Sequence, residues 1–120
     1  MSKSYRDLFV WQKAVQLTIQ IYSVTKKFPK EEIYGLSLQM RRAIVAIASN
    51  IAEGQSRGHL LEYIQFLKIA YGLAAELETQ LLVAYKIKYI SQKEYEDNLS
   101  LLYEVMKMLN SLIFRLKPKT

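Results

Sequence analysis

The sequence predicts an all-α protein, an antiparallel up-and-down four-helix bundle that assembles as a homo-oligomer. Three observations carry this. Apolar residues recur at steps of three and four through four long segments, the period of an amphipathic helix. Glycine and proline are scarce, 4 and 2 respectively, and Pro29 and Pro118 both fall outside those segments, which disfavours a turn-rich β fold. The third segment is apolar on nearly two sides, more than an outer helix of a monomeric bundle buries.

The first helix is predicted over about residues 8–28, with Asp7 as its N-cap and Pro29, which lacks a backbone donor, as its stop. Val10, Ala14, Leu17, Ile21, Val24 and Phe28 form its seam. Trp11, Val15, Thr18, Tyr22 and Thr25 form a second seam beside it. The segment KEEIYGL is a connection. The second helix spans about 37–55, with a seam of Met40, Ile44, Ile47 and Ile51. Its remaining positions are small (Ala43, Ala46, Ala48, Ser49, Ala52), which lets another helix approach closely. Gly54 and Gly58 bracket a predicted break in GQSRG.

The third helix spans about 60–88. Its expected seam is Leu60, Ile64, Leu67, Tyr71, Ala74, Leu81 and Tyr85, interrupted by Glu78. Phe66, Ile69, Leu73, Val83 and Ile87 lie about 100–140° away, which motivates a second buried contact and hence the oligomer. The fourth helix spans about 91–116 and opens with a capping box, Ser91 and Glu94. Tyr95, Leu99, Leu102, Met106, Leu109, Ile113 and Leu116 follow, flanked by Leu101, Val105, Met108 and Leu112. The short links make neighbouring helices antiparallel.

A chain of 120 residues that is 51% hydrophobic is read as one domain, 1–120, with a core of its own. With no Cys there is no disulfide framework or thiolate site. The early charges of MSKSYRDLFVWQKA argue against a signal peptide, and the longest uncharged stretch, Ala14–Thr25, is 12 residues, too short to span a membrane. A cytoplasmic location is the expectation.

Catalytic and metal chemistry find no support. The one histidine, His59, has no Glu three residues before it, as a bundle di-iron site requires. GQSRG lacks the spacing and lysine of a phosphate loop. The expectation is therefore no enzyme, no metal and no cofactor.

The net charge is +6, and residues 1–30 hold six basic residues against Asp7 alone. Such an excess on one element suits a polyanion, and equally suits a solvated helix face. Lys13, Lys26, Lys27 and Lys30, with Arg57 in the GQSRG break, are the candidate phosphate ligands. Most of the nine tyrosines fall on seams and are read as core rather than as stacking platforms for bases. Arg41 shares a line with Leu38, Val45, Ala48 and Ala52, so a charge there calls for a partner. Glu53, Glu76 and Glu78 are the candidates to pair with Arg41 or Arg42, as an inter-helix or inter-subunit ion pair; direct ligand contact is the alternative.

The stretches LFVWQKAVQL, KKFPKEEIYGLSLQMRRA, SNIAEG, EYIQFLKIA and AELETQLLVA, in this order and followed by the last helix, resemble the small bacterial four-helix proteins known from intervening sequences in 23S ribosomal RNA genes. The accessory variability determinant of diversity-generating retroelements is a relative of that family. The resemblance implies a ring-like pentamer without catalytic activity. For the retroelement relatives it implies a basic oligomer working with a reverse transcriptase and RNA. Ala48 stands where the family commonly has Pro, predicting a straighter second helix, and His59 stands where it often has a Ser or Thr cap. Two functions follow as expectations: a nucleic-acid-associated oligomer binding RNA or DNA phosphates, or a scaffold for a protein partner.

Overall fold

Amphipathic periodicity produces four α-helices in the computed structural model, which describes residues 4–119: α1 Phe9–Thr25, α2 Leu36–Ser56, α3 Leu60–Lys86 and α4 Gln92–Leu116. There are no strands among the described residues. Each helix packs on its two chain neighbours, and α4 closes the square against α1. The bundle is 49 Å long and 21 Å across. Pairings along the helices fix the antiparallel sense: Lys13 of α1 and Lys27 just beyond its end meet Glu104 and Glu94 of α4 in reversed order.

The expected seams of the first two helices form the core. Val10, Ala14, Leu17, Ile21, Val24 and Phe28 are buried, as are Met40, Ile44, Ile47 and Ile51. In α4 the buried line is Leu101, Leu102, Val105, Leu109 and Ile113, so residues expected to flank the seam share its centre. In α3 the core line is Ile64, Leu67, Ala70, Ala74, Leu77, Leu81 and Ala84. Leu77 takes the place that Glu78 appeared to interrupt. Tyr71 and Leu60, expected in the seam, are exposed. Small alanines at 70, 74 and 84 let neighbouring helices approach, so the narrow side of α3 faces the core. Ile69, Val83 and Ile87, on its second apolar side, stay exposed at 43%, 43% and 47%.

Helix ends differ from expectation in ways that have local causes. Asp7 is not the cap of α1. It lies in a 3-10 turn, Tyr5–Asp7, whose own cap is Ser4, Oγ accepting from the Arg6 N–H at 3.1 Å. Leu8 occupies the cap position without a side-chain bond, and Gln12 Nε2 donates back to the Arg6 carbonyl. After Thr25 the chain tightens into turns, yet Phe28 remains buried. The α1–α2 connection carries a second 3-10 turn, Lys30–Glu32, and Glu32 Oε1 accepts from the Leu36 N–H at 3.0 Å, capping α2.

Gly54 does not border a break. It is buried inside α2, where an added Cβ would come within 2.6 Å of Phe66 Cβ, so its missing side chain sets the α2–α3 distance. The chain turns at Gly58, with φ +75°, a left-handed conformation that suits glycine. No break interrupts α2 at Ala48. The Ser91–Glu94 capping box is present in full.

Candidate nucleic-acid interface

Charge on a lysine is available to a phosphate only where the protein's own carboxylates do not already hold it. The five candidate cations divide on this point. Lys13 Nζ lies 3.3 Å from Glu104 Oε1 across the α1–α4 seam. Lys27 pairs with Glu94, the third residue of α4, and that bond, followed by the Ser91 N–H, holds the Glu94 carboxyl below its ordinary range. Arg57, at the C-terminal end of α2, donates to Glu53 Oε2 at 2.7 Å and lies 3.9 Å from Glu62. The Glu53 bond raises the guanidinium's already high pKa. Lys26 and Lys30 are exposed and have no ion pair among the described residues.

The expected pairing of Arg41 or Arg42 with Glu53, Glu76 or Glu78 does not form within the chain. Glu53 is held by Arg57. Glu76 accepts from Gln80 Nε2 at 3.3 Å on its own helix, and Glu78 accepts from the Tyr103 hydroxyl of α4 at 2.7 Å. The register of α3 brings Glu78 to α4 and leaves Glu76 exposed. Arg42 is exposed.

Half-buried Arg41 turns instead toward α1. Its Nε donates to Thr25 Oγ1 at 2.8 Å, its Nη2 lies 3.4 Å from the Tyr22 carbonyl, and the guanidinium sits 4.5 Å from the Tyr22 ring centroid. A dipole, a carbonyl and a π face thus replace the carboxylate. Tyr22 and Thr25 belong to the second seam of α1, a helix from which no partner for Arg41 was expected. Nothing in the spacing said that an arginine would pack there.

The tyrosines also sit differently. None of the nine is fully buried, and Tyr22, Tyr34, Tyr71 and Tyr103 are exposed. They form the bundle's boundary, with Tyr63, Tyr85, Tyr89 and Tyr95 packed against the core's edge. Tyr34, 87% exposed in the α1–α2 connection, offers a free ring at the end where Lys26 and Lys30 lie.

His59 is exposed at the start of α3 and makes no side-chain cap bond. No cluster of three His, Cys, Asp or Glu side chains suited to a metal occurs among the described residues. No helix among them is long and apolar enough to cross a membrane.

Residues 6–111 match the family described as 23S rRNA-intervening sequence protein. The chain belongs to that family. No curated protein matches it. Among solved structures it is similar to a protein of unknown function from the S23 ribosomal protein family of Bacteroides thetaiotaomicron, at 28% identity and a TM-score of 0.80, over 87% of this chain and 94% of that one. In this member of the 23S rRNA-intervening sequence family, the two of the five candidate cations that the fold leaves unpaired, Lys26 and Lys30, lie where α1 passes into α2.

Proposed function

We propose that this chain is a non-enzymatic, basic, RNA-associated homo-oligomer that binds phosphates through the α1–α2 end of its bundle. One observation carries the reading. Lys26, Lys30, Arg41 and Arg42 have no carboxylate partner among the described residues, whereas Lys13, Lys27 and Arg57 are each paired. Repetition of that end around an assembly multiplies a moderate charge into a strong one. The family's name supports an RNA-linked role. The exposed second face of α3 supports self-association, and a ring of five is the number that the family resemblance implies. Filter binding of the wild type to mixed RNA and DNA at two salt concentrations tests the function. Phosphate binding releases counterions, so affinity should fall steeply with salt. No binding at low salt sinks it.

A scaffold for a protein partner is the second reading. It is favoured by an open cleft of about 580 Å³ between the start of α1 and the end of α4, lined in part by Phe9, which is 72% exposed. This reading expects no salt-sensitive affinity for nucleic acid.

A further inference from the structure

A cavity of about 290 Å³ lies between the end of α1, the connection and the start of α2. Its polar lining is Lys26, Lys30, Arg41, Thr25 and Ser37, and no carboxylate lines it. The rest of its wall is apolar, with Phe28, Ile33 and Leu38 among the contributors. We propose that this cavity is a phosphate subsite, taking a phosphate group whose organic substituent rests on the apolar wall. The proposal deepens the RNA reading above and rests on it for the source of the phosphate.

Arg41 is the centre of the argument. The bonds to Thr25 and Tyr22 engage Nε and Nη2, which fixes the guanidinium and leaves Nη1 uncommitted. A guanidinium held by neutral groups keeps its full charge and its fork of donors for an oxyanion. Thr25 is spent in this arrangement, its hydroxyl donating to the Ile21 carbonyl at 2.7 Å. Ser37 is not. It is only 7% exposed, it lines the cavity, and its hydroxyl has no hydrogen-bond partner among the described residues. A hydroxyl on the cavity wall that the chain itself does not engage is free to donate to an oxyanion held there.

The start of α2 adds to this. Glu32 takes the Leu36 N–H, and the Ser37 and Leu38 N–H groups behind it lie in the first turn, where a helix has no carbonyl to offer them. Glu32 itself is directed to Leu36 and to Tyr89 and does not line the cavity. Lys26 and Lys30 close the rim with unpaired charge.

The test uses the full chain and three probes: inorganic phosphate, a 5′-phosphorylated oligoribonucleotide, and the same oligonucleotide without that phosphate. Phosphate should shift the amide resonances of Ser37 and Leu38, and the shift should disappear in Arg41→Gln. Oligonucleotide affinity should fall at least about tenfold in Arg41→Gln and about threefold in Ser37→Ala, a conservative change in a helical turn. A preference for the 5′-phosphorylated probe assigns the terminal phosphate as the ligand; equal affinity assigns the backbone. Salt-sensitive RNA binding that both variants retain within twofold overturns the subsite and leaves the RNA reading standing. Phosphate shifts without RNA affinity overturn the RNA reading and leave the subsite. Neither phosphate shifts nor oligonucleotide binding overturns both.

Discussion

The Tyr89 hydroxyl donates to Glu32 Oε2 at 2.8 Å, and the other oxygen of the same carboxylate caps α2 at the Leu36 N–H. One side chain therefore joins the α1–α2 connection to the α3–α4 connection and orients the first turn of α2. That turn also forms a wall of the basic cavity. Both bonds need an ionised acceptor to be at full strength. Accordingly the Glu32 carboxyl titrates below its ordinary range, chiefly because of the Leu36 N–H and then the Tyr89 hydroxyl.

Acid stability should follow from this. A carboxyl whose folded pKa is lowered contributes stability that is complete above its unfolded value, 4.5, and is lost as pH falls through the lower folded value. Glu94 carries the same sign, with Lys27 as the main cause. Thermal melts taken from about pH 7 down to about pH 2 should show the midpoint falling below the carboxylate range. In Glu32→Gln and Glu94→Gln that fall should be shallower. An unchanged pH profile in both variants would show that neither bond matters to folding.

Gly54→Ala should destabilise the bundle by about 1–3 kcal/mol, as over-packing does. In an open helix the same change would stabilise, since alanine is the better helix former by about 1 kcal/mol. Here the new methyl meets Phe66 Cβ at 2.6 Å and the Tyr63 ring at 3.3 Å. A Cβ cannot swing aside as the tip of a long chain can, so α2 and α3 must part. Denaturant unfolding measures the difference, and a stabilised variant would mean that the two helices are not held at this distance.

Lys88 should behave in the opposite way. It has φ 68°, and the Tyr89 N–H reaches back to the Ala84 carbonyl at 2.8 Å, closing α3 through a left-handed residue. A side chain there costs about 1–2 kcal/mol, of which glycine's greater freedom when unfolded returns about 0.5–1 kcal/mol. Lys88→Gly should therefore raise stability by up to about 1 kcal/mol. A lower melting temperature in this variant would count against the assigned turn.

The seams of α1 and α2 and the capping box were legible because each depends on local period or on two residues in one turn. In α3 the expected Ile64, Leu67, Ala74 and Leu81 are core, but at Tyr71, Glu78 and Tyr85 the core residue lies one position earlier, because the tyrosines disguised the small Ala70 and Ala84 and Glu78 hid Leu77. Asp7 failed as a cap because Ser4 closed a tighter turn ahead of the helix. The candidate site was legible only in part. Sequence places a lysine at a helix end, but whether Glu94 reaches it across 67 residues is a property of the assembled bundle. Arg41 shows the same limit. Its need for a partner was evident, and the partner turned out to be a ring and a hydroxyl on α1.

That distinction sets apart the lysines themselves. Lys26→Ala and Lys30→Ala remove unpaired charges, so each should weaken binding to RNA and DNA of any sequence. Each should also reduce the slope of log affinity against log salt by about one. Lys13 and Lys27 spend their charge on Glu104 and Glu94. Removing either changes the long-range field, which salt screens, but breaks no phosphate contact. Lys13→Ala and Lys27→Ala should therefore weaken binding at low salt alone and leave the slope within about half a unit of wild type. Parallel titrations of the four variants at three salt concentrations separate these outcomes. Equal loss of slope in all four would mean that the ion pairs open when nucleic acid binds. The phosphate surface would then run along α1 instead of gathering at the α1–α2 end.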